Sequence, residues 1–333
     1  MIFDGEVLVA GLGSIGERHV RNLLGLGQTD VTVLRRADTL PRTLDAGTFR
    51  TVTDAGAAFA RGPSAVIIAT PSALHVPLLQ RAIEAGVPAM VEVPLASSLG
   101  GLSQAAAQAT AQNLPVLVGH NLRFHPCLQH VRESVVRGDI GDVLYSQAQF
   151  GEFLPDSHPW EDYRERYEGR KDLGGGVIFT SIHEIDHAVW LFGDAEAVTS
   201  VTRTRTLDID VEDTAMMFVE HSGGVLSQIT LDFVQRPYRR WLQIVGSKGT
   251  LEWEFLSNEV RRYTERGPEW ETAFSARGYD AGQSYVDELE HFAHVVRREE
   301  VPAVDLAHAM HVLSVGLAAH ESAATGQRIP IKR

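Results

Sequence analysis

The chain begins with a short apolar strand-like run, residues 6–10 (EVLVA), that feeds directly into Gly11-Leu12-Gly13-Ser14-Ile15-Gly16 and then into a helix-forming stretch, residues 17–24. No other feature narrows the fold as far. In a G-x-G-x-x-G turn the first glycine permits the tight turn, the second lets the backbone approach a pyrophosphate, and the third lets helix and strand pack closely. The helix N-terminus then presents free N–H groups to phosphate charge. Strand, turn and helix stand here in the order a dinucleotide-binding βα unit requires. Gly11, Gly13, Ser14, Ile15 and Gly16 are therefore the first expected cofactor contacts.

The following residues keep a βαβα rhythm. Apolar runs recur at 7–10, 31–34, 65–69, 89–93 and 116–119, with helical stretches such as 75–85 and 101–112 between them. That alternation predicts a parallel, doubly wound sheet that binds ligands at its C-terminal strand ends. A dinucleotide-binding domain over 1–120 follows, and residues 119–126 (GHNLRFHP) read as its exit. The remainder, 121–333, has a different texture. Strand-like runs at 143–150, 197–205, 214–220, 225–232, 240–245 and 250–255 are separated by turn signals such as Ser222-Gly223-Gly224. Successive strands of this kind predict a largely antiparallel sheet. Helical stretches at 130–137, 179–192, 284–298 and 305–322 would cover one face, the last two packing back on the core.

Bulk properties remove several function classes. A net charge of −13 argues against non-specific nucleic-acid or anionic-membrane binding. No apolar run approaches a membrane span. Cys127 is the single cysteine, so an internal disulfide is impossible and a reducing compartment is expected. The first residues carry no basic leader pattern, and the expected location is the cytoplasm.

Further landmarks join the glycine turn: Ala69-Thr70-Pro71-Ser72 with His75, Val91-Glu92-Val93-Pro94, residues 121–126 (NLRFHP), Gly138-Asp139-Ile140-Gly141, Asp172-Leu173-Gly174-Gly175-Gly176, and residues 182–193 (IHEIDHAVWLFG). Together they resemble the Gfo/Idh/MocA oxidoreductase family over essentially the whole chain. The resemblance implies a Rossmann domain followed by an α/β domain with a large, mostly antiparallel open sheet, assembled as a homodimer or homotetramer. It also implies NAD(P)-dependent chemistry on a sugar, a cyclitol or a related carbonyl compound. Ser72, His75 and Glu92 would lie around the nicotinamide end, with Thr70, Pro71 and Val93 in the same cofactor set. The segment 154–171 resembles the branch that acts on activated or acidic sugars.

The residue that reads the adenosine ribose sits about 20 positions past the glycine motif, at the end of the second strand. An acidic side chain there would bond the ribose 2′-hydroxyl. This chain has Arg35-Arg36. A guanidinium pairs with a 2′-phosphate through charge-assisted bonds, so NADP(H) is the favoured cofactor and NAD the alternative.

The catalytic pattern is broken. The family implies a Lys in a Glu-Lys-Pro motif, with an Asp and a His on the helix after the glycine run. This sequence reads Glu92-Val93-Pro94, and Val can neither donate nor accept a proton. Thr180 stands at the Asp position, and His183, or Glu184 one register on, at the His position. The chain has three lysines, Lys171, Lys248 and Lys332; only Lys171 is placed to substitute. On one helix, Thr180, His183, Glu184 and His187 would share a broad face. His183 is the expected general acid/base, Asp186 or Glu184 would orient its ring, and Thr180 would bond a substrate hydroxyl. His187 reads as a packing residue near Trp190.

Residues 183–187 also match H-E-x-x-H, a zinc-protease spacing. The flanking sequence instead matches the oxidoreductase helix, and no metal is expected. Arg123, Tyr163, Arg164 and Glu184, with Lys171, are the expected contacts to an anionic or polyhydroxylated small-molecule substrate. Three readings remain open: a reductase acting on a sugar-like or cyclitol-like ketone or imine with an altered site, a non-catalytic dinucleotide-binding sensor, and a redox-neutral enzyme that recycles its nicotinamide.

Overall fold

A computed structural model describes residues 1–36 and 41–332. The chain divides into two compact units, residues 1–121 with 282–310, and residues 122–281 with 311–333.

The first unit is built on a six-stranded parallel sheet. Its strands are β1 (Val7–Ala10), β2 (Val31–Leu34), β3 (Arg50–Val52), β4 (Ala65–Ile68), β5 (Ala89–Glu92) and β6 (Val116–Gly119), in the order β3-β2-β1-β4-β5-β6. The connecting helices are α1 (Ser14–Gly25), α2 (Ala55–Phe59), α3 (His75–Glu84) and α4 (Leu102–Ala111). Every residue of β1, β4, β5 and β6 is buried. Parallel strands covered on both faces read as continuous apolar runs, which is why the rhythm was legible. Strand order reverses between β1 and β4, the point where open α/β sheets bind ligands beyond their strand ends.

The second unit carries α5 (Pro126–Arg137), β7 (Val143–Phe153), α6 (Leu154–Ser157), α7 (Val177–Thr180) and α8 (His183–Phe192). Then come β8 (Ala195–Arg203), β9 (Thr214–His221), β10 (Leu226–Asp232), β11 (Val234–Gly246), β12 (Gly249–Glu254), β13 (Glu259–Thr264) and β14 (Gly267–Ser275). Helix α9 (Gln283–Val296) belongs to the first unit, α10 (Leu306–Thr325) crosses the dividing point at 310, and β15 (Ile329–Pro330) closes the chain. The nine-stranded sheet runs β14-β13-β12-β11-β7-β10-β9-β8-β15. Only its β7–β10 pair is parallel.

Three features differ from the sequence reading. The sequence put 284–298 in the second domain, but α9 packs Leu289, Phe292 and Ala293 into one apolar cluster with Phe3, Val7, Val20 and Val31 of the first unit. Order along the chain carries no information about such a return. The hairpin β13–β14 went unread because its residues 259–275 are dense in Glu and Arg, as suits a sheet edge that must not pair further. The stretch 179–192 is not one helix. Ser181 takes φ −107° and ψ 35°, which ends α7, and α8 starts at His183. Thr180 therefore does not continue the helical face of His183, Glu184 and His187.

Candidate active site

In the first unit the glycine turn separates into two roles. Gly11 has φ +108°, and a Cβ on it would lie 2.4 Å from the Ala69 carbonyl oxygen. A Cβ on Gly16 would lie 2.2 Å from the Gly11 carbonyl oxygen. The unit's own packing requires both. Gly13 is different: its φ is −79°, and a Cβ there would meet nothing within 4 Å. Gly13 is the N-cap of α1, and no side chain caps that helix. Bare backbone with unspent N–H groups at a helix start fits a pyrophosphate. Ser14 and Ile15 open the helix beside it.

Arg35 and Arg36 follow β2 directly, Arg35 half-buried and Arg36 exposed. Glu17, buried on α1, accepts the Arg42 N–H and the Thr43 hydroxyl (2.8 Å), which ties residues 42–43 to that helix.

His75 is fully buried, and both ring nitrogens meet backbone carbonyls: Nδ1 to Pro94 (3.0 Å) and Nε2 to Thr70 (2.7 Å). Burial pushes its pKa down. The ring thus clasps the 70 loop to the turn after β5. Ser72 is buried beside it.

Glu92 ends β5. Its Oε1 lies 2.5 Å from His19 Nε2, and its Oε2 accepts the Val93 N–H at 3.3 Å. Glu288 of α9 is fully buried, and neither carboxyl oxygen has a hydrogen-bond partner among the described residues. Burial first, and the neighbouring Glu92 charge second, hold its pKa well above the usual carboxylate range. Nothing in the sequence marks His19 or Glu288. Both sit inside ordinary helical patterns, and only the fold buries them together.

In the second unit α8 packs on β7 and β10. Asp186, with no exposure, takes a bidentate pair from Arg123: Nε to Oδ2 at 2.9 Å and Nη2 to Oδ1 at 2.6 Å. The guanidinium of Arg123 also lies 5.1 Å from the Trp190 ring centre, and that of Arg132 4.9 Å from it. Arg123 and Asp186 thus engage each other, although the sequence pointed Arg123 to substrate and Asp186 to the His183 ring.

Glu184 is likewise paired, with Arg240 Nε at 2.7 Å from its Oε1. Burial raises the Glu184 pKa and Arg240 opposes it. Arg240 is the direct strand partner of Phe150, and its guanidinium lies 4.6 Å from that ring. The β7–β11 register breaks between Val234 and Arg239, around Pro237. Proline is tolerated at such a break. Tyr238 then stacks edge-on to Phe150 at 5.8 Å. Glu152, two residues beyond Phe150, has its pKa raised by burial and by Glu168, with Arg166 and Arg240 opposing. Phe150, Glu152, Tyr238, Arg240 and Glu184 thus form one half-polar cluster. Glu184 is the member of this cluster that the sequence singled out; Glu152 lies in an ordinary strand pattern and carries no such mark.

His183 is half-buried at the start of α8, and the Thr180 hydroxyl is buried without a hydrogen-bond partner among the described residues. His187 is buried 6.3 Å, edge-on, from Trp253. With Glu184 engaged by Arg240, the H-E-x-x-H spacing lacks a free base. Among the described residues no group of three His, Cys, Asp or Glu is placed to hold a metal ion.

Lys171 is exposed, its backbone N–H bonding Asp210 at 2.8 Å. Burial first, and the Lys171 charge second, lower the pKa of His320, which lies 3.7 Å from Glu212. Arg164 is exposed and bonds Asp162 through Nε (2.8 Å) and Nη2 (2.7 Å), with the Tyr163 ring 5.8 Å away. It lines a surface pocket with Glu165, Asp172, Asp208 and Asp210. An anion there would meet more carboxylates than guanidinium groups.

Comparison with known proteins agrees with this fold. Residues 6–120 match the family described as "Oxidoreductase family, NAD-binding Rossmann fold", and residues 128–252 match "GFO/IDH/MocA C-terminal domain". D-apiose dehydrogenase of Paraburkholderia graminis is 28% identical over 193 residues, covering 56% of this chain and 49% of that protein. The chain thus spans about half the length of that relative. The NAD(+)-dependent scyllo-inositol 2-dehydrogenase of Bacillus subtilis is 28% identical over 282 residues, covering 81% of this chain and 78% of that one. Among solved structures, levoglucosan dehydrogenase in complex with NADH and levoglucosan superposes with a TM-score of 0.87 at 18% identity, covering 99% of this chain and 100% of that one. The six-stranded parallel sheet, the mostly antiparallel nine-stranded sheet and both domain matches place the chain in the Gfo/Idh/MocA oxidoreductase family.

Proposed function

We propose that the chain is an NADP(H)-preferring reductase of a sugar-like or cyclitol-like ketone or imine. The observation that carries the cofactor reading is Gly13, which packing leaves free and which caps the uncapped start of α1. Gly11, Gly13, Ser14, Ile15 and Gly16 would hold the pyrophosphate. Arg35 and Arg36 would take the 2′-phosphate, with NAD as the alternative where they do not. Thr70, Pro71, Ser72, Glu92 and Val93 would border the nicotinamide end, with His75 holding their loops together. When bound, the dinucleotide supplies or accepts the hydride.

The proton belongs to this chain's own residues. Val93 cannot carry it, and Lys171 is exposed beside His320. We assign proton exchange to His183, whose ring suits acid/base work near neutral pH. The buried pairs Asp186–Arg123 and Glu184–Arg240 hold α8 in place around it, and the Thr180 hydroxyl is available to a substrate hydroxyl. A carbonyl or iminium is activated by one hydrogen bond or by its own charge, so reduction tolerates the loss of the lysine better than alcohol oxidation does. His183→Gln should lower kcat by about 10²–10⁴-fold on any productive ketone or imine. An unchanged kcat would remove His183 from this role.

The second reading, a dinucleotide-binding sensor without turnover, is favoured by Val93 itself. A panel of keto-sugars, cyclitol ketones and imines separates the two: binding without turnover on any member supports the sensor, and turnover without net change in cofactor absorbance supports a redox-neutral enzyme. We further infer a homodimer or homotetramer. Met216 and Phe218 of β9, Val201 of β8 and Leu226 of β10 are exposed large apolar residues on neighbouring strands, and light scattering would give the mass. A cytoplasmic location agrees with the lone cysteine, and no described helix is long and apolar enough to cross a membrane.

A further inference from the structure

In the first unit, one acid is left over by every role assigned so far. Glu288 has no exposure and no hydrogen-bond partner for either oxygen among the described residues, yet it faces Glu92 rather than an arginine or lysine. Glu92 is the opposite case. His19 holds one of its oxygens and the Val93 N–H the other. It is 8% exposed, while His19 and Glu288 are fully enclosed. It is also the last residue of β5, at the C-terminal end of a parallel sheet, where such sheets meet their ligands. Two adjacent buried carboxyls do not both ionise, because each charge raises the cost of the other in an apolar setting. Glu288, sealed and without partners for its oxygens among the described residues, is the one that keeps the proton.

We propose that His19, Glu92 and Glu288 hold a single negative charge on Glu92, and that this charge makes the site favour an oxidised nicotinamide over a reduced one. The oxidised ring carries a positive charge and the reduced ring is neutral, so a fixed carboxylate at that end discriminates between them. A site that binds the oxidised form more tightly makes the bound reduced form the stronger hydride donor, which is the reductase direction. Val93 is part of the same device: an ammonium at that position would cancel the carboxylate. Glu92 sets the preference, and His19 and Glu288 are positioning residues. The inference rests on the reading above that Glu92 borders the nicotinamide end.

The test is equilibrium binding, with no turnover required. The full-length protein is titrated with NADP+, NADPH and, as a probe lacking nicotinamide, 2′-phospho-ADP-ribose. Glu92→Gln and Val93→Lys remove or oppose the same charge and should both shift the ratio of NADP+ to NADPH affinity toward NADPH. The expected shift is about tenfold, the effect of 1.4 kcal/mol, with binding of 2′-phospho-ADP-ribose unchanged in each. The infrared difference spectrum of wild type minus Glu288→Gln at neutral pH should contain the carbonyl stretch of one protonated carboxylic acid, over and above any from Glu212, which both proteins share. A ratio unmoved in both Glu92→Gln and Val93→Lys would overturn the proposal. So would a difference spectrum lacking that band, since Glu288 would then carry a second charge. Failure of all three probes to bind the wild type would instead refute the cofactor reading on which the proposal stands.

Discussion

At the scale of single residues, the three glycines of one motif make unlike demands. Gly16→Ala forces a methyl group onto the Gly11 carbonyl oxygen, and Gly13→Ala forces it onto nothing. Gly16→Ala should therefore lower thermal stability and dinucleotide affinity together. Gly13→Ala should leave the melting temperature near wild type and weaken the dinucleotide tenfold or more, about 1.4 kcal/mol. Calorimetry paired with a fluorescence titration checks both, and an equally destabilised Gly13→Ala would contradict the assignment. The motif was legible in the sequence, but this division was not, because it depends on where the Ala69 and Gly11 carbonyls lie. Asp186 gives the converse lesson. Its spacing from His183 invited a catalytic role, yet it carries the bidentate load of Arg123. Asp186→Asn leaves a buried guanidinium half-paired and should cost about 3–5 kcal/mol in urea denaturation. A cost below about 1 kcal/mol, the range of exposed pairs, would show that the pair does not bear on stability.

At the scale of elements, the start of α7 carries a pH dependence. Glu212 accepts the Ile178 N–H at 3.0 Å, and burial pushes its carboxyl up to about 7 from an ordinary 4.5. Asp213 raises it further, while His320 lies 3.7 Å away and itself feels the Lys171 charge. Because the folded pKa lies above the unfolded one, the contribution is fully present below about 4.5. It is lost as pH rises toward 7, when the unfolded chain gives up its proton and the folded one does not. The loss reaches about 3 kcal/mol. Glu212→Gln keeps the acceptor and cannot ionise, so its stability should fall less between pH 5 and pH 8 than the wild type's. Parallel denaturation curves at the two pH values would contradict this. Elements were also where the sequence reading was weakest. β13 and β14 carry charges that obscure alternation, and Ser181 breaks a stretch whose composition is helical throughout.

At the scale of the whole molecule, the two sheets follow from different patterns. Uninterrupted apolar runs specify the parallel sheet, alternation specifies most of the other, and both were readable. The return of α9 to the first unit was not, and with it went Glu288, which meets His19 and Glu92 only after that return. Loss of the lysine at Val93 was legible. What replaces its chemistry was not, since the nearby charges are buried pairs whose partners are far apart in sequence. Whether the chain binds a phosphorylated dinucleotide to perform reduction is decided by fluorescence titration with NADPH and NADH, followed by absorbance-monitored turnover on keto-sugars, cyclitol ketones and imines. NADPH should bind more tightly than NADH and be consumed with at least one substrate. Binding of neither dinucleotide, or binding with no consumption across the panel, would contradict it.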